Sequence, residues 1–198
     1  AIEVIRGPNI KPVPVAKRLE ASIKGKVLLK VEDNITTDHI MPSNAKLLPL
    51  RSNIPELSRY CFAPIDEGFS NRAMENPGGL IVGGHNYGQG SSREHAAIVP
   101  LYLAIKGIIA KSFARIHAAN LINFGILPMV FANPEDWNGV SQGDALELED
   151  VFGLVEKGRG EVINKNKSSR FLVNLDLTPR QKEILKAGGL LSLAAGRG

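Results

Sequence analysis

Ser91-Ser92-Arg93-Glu94-His95 places two hydroxyls, a guanidinium, a carboxylate and an imidazole in five consecutive positions. A serine beside an arginine suits chemistry that handles a proton or a developing negative charge, because the guanidinium stays charged and its planar fork matches a carboxylate. Before them comes Gly83-Gly84-His85-Asn86-Tyr87-Gly88-Gln89-Gly90, itself preceded by the apolar run Leu80-Ile81-Val82. Gly88 and Gly90 let the backbone take positive φ and approach a ligand closely. The pattern predicts a strand, a glycine loop and a helix from Ser92, whose N-terminal N–H groups would face the serine oxygens and favour an anion there.

Spacing excludes three other loops of this type. A phosphate-binding loop needs lysine before the serine or threonine, and the loop has no lysine. A nucleophile elbow needs glycine on both sides of the serine at its fixed spacing, which neither serine has. The dinucleotide fingerprint fails at Arg93, where its third glycine belongs. The plain reading, a glycine turn with Ser91 as a helix N-cap, competes with the chemical one. The succession of two serines, arginine, acid and histidine favours chemistry.

A second polar group, Thr36-Thr37-Asp38-His39, follows the β-rich run Lys26 to Val31, and Arg51 follows the apolar Leu47 to Leu50. Polar residues just beyond a strand sit where sheet-edge sites are built. Taken alone, the threonines and Asp38 read as turn and cap chemistry, and His39 as a structural histidine.

The elements that must position these groups are legible in part. Residues 80 to 131 read strand, helix, strand, helix, strand, which implies parallel strands joined by right-handed crossovers. The helix from Ser92 should bend or restart at Pro100. Ser112 is the expected cap of the next helix, with Phe113, Ile116, Leu121 and Phe124 on its core face and Gly125 as its stop. Gly68 to Gly79 reads as a surface loop, and Ile54 to Phe62 as a short helix. From Asp144 onward, alternating apolar and charged residues indicate half-buried antiparallel strands, with Lys165, Lys167 and Arg170 on a solvated hairpin face. Thr178-Pro179-Arg180-Gln181 has the form of a capping box that opens a helix closed by Gly188.

The chain has 198 residues, 43% of them hydrophobic, with 24 basic residues against 20 acidic ones and a single cysteine, Cys61. That content suits one domain with a sizeable core, and the balance of charge favours anionic partners. One cysteine forms no intramolecular disulfide and cannot hold a metal cluster alone. No apolar run has the length of a membrane helix. Residues 1–25, with Pro8, Pro12 and Pro14, read as an interdomain lead-in.

Taken together, Thr36-Thr37-Asp38-His39-Ile40, Arg51, Gly88 to His95 and Lys111-Ser112-Phe113-Ala114-Arg115-Ile116-His117 resemble the C-terminal swivel domain of aconitase, within the aconitase/isopropylmalate isomerase superfamily. Arg6-Gly7-Pro8-Asn9-Ile10 resembles the linker leading into that domain. The resemblance implies a three-layer β/β/α swivelling domain over 26–198, with a largely parallel central sheet and additional antiparallel strands. It implies a hydro-lyase interconverting citrate and isocitrate through cis-aconitate in the tricarboxylic acid cycle. Ser91 matches the catalytic base, Ser92 and Arg93 match substrate and oxyanion contacts, Arg51 matches a carboxylate-binding arginine, and Asp38 an active-site acid. Gly88, Gly90, Thr36, Thr37 and His39 support the loops. The family's [4Fe-4S] cluster is held by cysteines of other domains, so a cluster-bearing partner, fused or separate, is expected, and the chain alone should be inactive. The expected compartment is the cytoplasm, or the mitochondrial matrix in a eukaryote. Ile40-Met41-Pro42 leans toward the small subunit of isopropylmalate isomerase, which stays open with homoaconitase as the alternative. An RNA-binding module is the alternative from another class, and it rests on basic charge alone.

Overall fold

Leu80, Ile81 and Val82 are all buried, as are Gly107 to Ala110, so an apolar layer must lie against both faces of these strands. The computed structural model describes residues 7–196. It contains seven strands: β1 (Ile23–Lys30), β2 (Leu80–Gly83), β3 (Gly107–Ala110), β4 (Leu127–Phe131), β5 (Ala145–Leu148), β6 (Arg159–Asn164) and β7 (Ser169–Asn174). They form one closed barrel in the order β1-β2-β3-β4-β7-β6-β5. The pairs from β1 to β4 are parallel, and the pairs that return through β7, β6 and β5 to β1 are antiparallel. The fold is therefore mixed α/β with a parallel half and an antiparallel half, as the sequence implies.

Alternation along the strands divides the core in two. Val27, Leu80, Val82, Ile109, Leu127 and Met129 share one apolar cluster with α6 (Val151–Lys157) and α7 (Pro179–Ala187). Leu28, Ile81, Ile108 and Ala110 point to the other, which α3 (Phe69–Glu75) and α4 (His95–Tyr102) cover. The remaining helices are α1 (Thr37–Ile40), α2 (Ile54–Leu57), α5 (Arg115–Asn123) and α8 (Leu190–Ala194). Arg6, with which the linker-like segment starts, lies outside the described residues, as does all of Ala1 to Ile5.

Several local expectations need correction. Gly68 to Gly79 is not a loop throughout: it carries α3, whose Phe69, Ser70 and Ala73 are buried while the polar residues between them mask the helical period. Phe69 meets Phe62 edge-on, with ring centroids 4.8 Å apart. Pro100 does not start a new helix; it lies inside α4, which continues to Tyr102. Ser112 does not cap α5, whose N-cap is Ala114, and Ile116 faces solvent while His117 takes the core side beside Leu121 and Ile122. By contrast, Gly125 at φ +76° ends α5, and the Thr178–Gln181 capping box opens α7 with Gly188 closing it in the left-handed region. Among the described residues no helix is long and apolar enough to cross a membrane.

Candidate active site

The carboxyl ends of the parallel strands β1 and β2 deliver the two polar loops side by side, the usual place for a site on a parallel sheet. The loops are then stitched by backbone hydrogen bonds. Asn34 donates to His85 at 2.8 Å, Gly88 and Gln89 both donate to Ile35 at 2.7 and 3.0 Å, and Thr37 donates to Gln89 at 2.8 Å. Asn34 and Asn86 hold positive φ of 60° and 55°, and the Asn86 amide donates to the Asn34 side chain at 3.1 Å. Sequence reasoning missed this pair, though asparagine is among the few side-chained residues that tolerate the left-handed region. Ser112 fastens the same loop from the next crossover. Its hydroxyl accepts from the Asn86 N–H at 2.8 Å and its carbonyl from Tyr87 at 2.9 Å.

Thr36 caps α1 in a reciprocal box with His39. The Thr36 hydroxyl accepts from the His39 N–H, and the His39 ring accepts from the Thr36 N–H, both at 3.1 Å. His39 is thereby structural, as its local pattern suggests, and Thr37 is buried behind it. Asp38 faces outward and forms a two-pronged ion pair with Arg93, whose second hydrogen bond measures 3.1 Å. The Arg93 guanidinium, with help from the Ser43 backbone, holds the Asp38 carboxyl below the usual carboxylate range, although partial burial opposes the shift. In this arrangement Asp38 is ionised and orients Arg93.

Arg51 lies at the same edge. Its guanidinium donates to the Ser43 hydroxyl at 3.2 Å, and its carbonyl is met by the His95 ring at 3.0 Å. Arg51, Arg93, His95 and Ser43 line a cavity of about 130 Å³ whose remaining wall is apolar, from Met41, Leu47 and Leu57. Ser43 and His95 belong to this setting. Only the imidazole so close to Arg93 in the motif signals either of them.

The serines differ from expectation in one respect. α4 begins at His95, and its N-cap is Glu94, which makes no side-chain cap bond. Ser91 therefore is not the helix cap. Both serines are exposed in an irregular turn after Gly90, which holds φ +110°, and the Ser91 carbonyl accepts from the Arg93 N–H at 2.8 Å. Among the described residues the N–H groups of Ser91 and Ser92 meet no backbone acceptor, so they remain available as donors to an incoming oxyanion.

Beneath the loop, His117 is 2% exposed, and among the described residues neither ring nitrogen has a hydrogen-bond partner. Burial pushes it down to about 4. Between pH 6.5 and 4 the unfolded chain therefore binds a proton at this site that the folded chain does not, so stability falls as pH drops through that window. The loss should reach about 3 kcal/mol. Chemical denaturation at several pH values should show this acid-side decline in the wild type and its absence in His117→Gln; parallel slopes would refute it.

The residues present do not suit an iron-sulfur cluster. Among the described residues no three His, Cys, Asp or Glu side chains are grouped to hold a metal. Cys61 is 1% exposed in the core, where burial pushes its thiol well above its ordinary value and keeps it protonated.

Comparison with known proteins agrees with this picture. The family model described as the aconitase C-terminal domain matches residues 70–134, which span α3 through β4 and include the serine loop. Small subunit 2 of 3-isopropylmalate dehydratase from Archaeoglobus fulgidus is 38% identical over 85% of this chain and 93% of its own length. The homoaconitase small subunit of Methanocaldococcus jannaschii is 40% identical over 86% of this chain and 89% of its own. The crystal structure of 3-isopropylmalate dehydratase from M. jannaschii superposes with a TM-score of 0.74 at 36% identity, covering 89% of this chain and 95% of that one. A Caenorhabditis elegans protein named "probable aconitate hydratase, mitochondrial" is 33% identical, but there the match spans 25% of the longer protein. With the serine loop, the Asp38–Arg93 pair and Arg51 on one edge of the barrel, these likenesses show that the chain belongs to the aconitase/isopropylmalate isomerase superfamily of hydro-lyases, as its swivel-domain or small-subunit component.

Proposed function

We propose that the chain is the smaller component of a dehydratase of the isopropylmalate or homoaconitate type, working with a larger, cluster-bearing partner. The observation that supports this most is the Asp38–Arg93 ion pair, which locks the two polar loops into one surface beside Arg51. In this reading Arg51 and Arg93 receive substrate carboxylates. Ser91 removes the proton from the carbon next to a carboxylate, and the Ser91 and Ser92 N–H groups and Arg93 stabilise the charge that builds on it. A serine hydroxyl is hard to ionise, and those fixed donors and the guanidinium are what lower the cost. The cluster that the family implies is assigned to the partner, since the described residues of this chain offer no ligand set for it. Interconversion of citrate and isocitrate is the narrower reading.

The hairpin cations give no support to the RNA alternative. Lys165 is paired with Glu147, Lys167 with Asp144 and Arg170 with Glu161. To test the proposal, the intact enzyme containing this chain, purified anaerobically, is given 2-isopropylmalate, homocitrate and citrate in turn. The unsaturated acid should form from one of the first two. Turnover of citrate alone would establish the narrower reading, and no unsaturated product from any of the three would refute both.

A further inference from the structure

Gly88 leaves no room for a side chain. It holds φ +83°, and a Cβ built on it would overlap Cβ, Cγ and Cδ2 of His117, so the loop backbone lies directly on the imidazole. From the other side the Gly88 N–H is drawn to the Ile35 carbonyl at 2.7 Å. The glycine is thus clamped between the first crossover and a ring supplied by α5. The Tyr87 ring, fully buried, packs 5.6 Å from His117 and edge-on against Phe113 at 5.7 Å, closing the floor. Because neither His117 nitrogen has a hydrogen-bond partner among the described residues, packing sets the orientation of the ring.

We propose that His117 is a positioning residue for the serine loop: its ring is the seat of Gly88, and through Gly88 it sets where Ser91 stands, while Arg93 is held separately by Asp38. This rests on the reading of Ser91 to Arg93 as the reacting loop. Ser91 is three residues beyond the seat, and past Gln89, which accepts from Thr37, its turn is held among the described residues by the Asp38–Arg93 pair and two local backbone bonds, Arg93 N–H to Ser91 at 2.8 Å and Ala96 N–H to Arg93 at 3.2 Å. A misplacement of about 1 Å at a reacting group can cost about a hundredfold in rate. Arg51 is carried by a different segment, at the end of the turn Leu48–Leu50, and among the described residues it makes no hydrogen bond to Gly88 or His117. Loss of the ring should therefore act on kcat and spare KM.

The test is a double-mutant cycle in the intact enzyme, with Ser91→Ala measured beside it. His117→Ala should lower kcat about tenfold or more, slow exchange of the substrate's abstractable hydrogen to the same extent, and leave KM within about twofold. Gly88→Ala should be more damaging, because the added methyl meets the ring and the left-handed backbone is itself strained. The double variant should be more active than the product of the two single effects, since truncation at 117 removes Cγ and Cδ2, the two closest of the three atoms that the methyl meets, and leaves only Cβ to shift. If His117→Ala does not fold, His117→Ser in the same cycle reads the same coupling. Unchanged kcat and exchange in His117→Ala, or single effects that simply multiply, would overturn the assignment. If Ser91→Ala is inactive while His117→Ala is normal, only this inference fails; if Ser91→Ala is itself normal, the functional reading beneath it fails.

Discussion

Ser91→Ala in the intact enzyme is expected to lower kcat at least about a hundredfold, because a positioned base contributes about 10²–10⁴ to the rate of proton transfer. KM should change little, since Arg51 and Arg93 still receive the carboxylates, and exchange of the abstractable hydrogen with solvent should slow together with kcat. The structure sharpens this expectation. With α4 starting at His95, the Ser91 side chain caps nothing, so its removal should leave the melting temperature nearly unchanged, as for exposed positions generally. Near-normal kcat and hydrogen exchange in this variant would place the base elsewhere.

Arg51→Lys should raise KM by the equivalent of about 1.5–3 kcal/mol, the range for a hydrogen bond to a charged group. Lysine keeps the charge but replaces the planar fork with a single rotating ammonium, so a two-pronged grip on a carboxylate is lost. The Ser43 hydroxyl, which accepts from the Arg51 guanidinium at 3.2 Å, holds the fork toward the cavity, and a lysine would reach that position less squarely. Steady-state kinetics with substrate varied should show the change mainly in KM. Kinetics indistinguishable from wild type would make Arg51 an ordinary surface residue.

The parallel half of the fold is readable because each strand from Leu80 to Phe131 is an unbroken apolar run and each crossover ends in a recognisable stop such as Gly125. The cap of α7 is equally plain, since Thr178, Pro179 and Gln181 each act within a single turn. Short helices escape that kind of reading. α3 shows only three buried positions among polar neighbours, and α6, with Gly153 inside it, is fixed by the Asp150 side chain accepting from Gly153 at 2.7 Å. α8 is only five residues long and follows two left-handed glycines. At the site, the residue types come from the motif, but their relations come from tertiary structure. No local rule pairs Asp38 with Arg93 across two crossovers, or turns Ser112 from a helix cap into an anchor for Asn86. The exposed Ile116 shows the same limit, because a one-residue error in helical phase exchanges it with the buried His117.

The closure of the barrel bears on how the chain is made. β1 carries the first polar loop, yet one of its edges pairs with β5, which leaves the ribosome only after β2, β3 and β4 have been synthesised. Until then the backbone groups from Ile23 to Lys26 are an open edge on a nascent sheet, the kind of surface that recruits stray strands. Lys24 and Lys26 on that edge bring charge that discourages such pairing, and once β5 arrives Lys24 finds Glu147 as its partner. The same lysines thus guard the unfinished edge during synthesis, and Lys24 then helps to seal it.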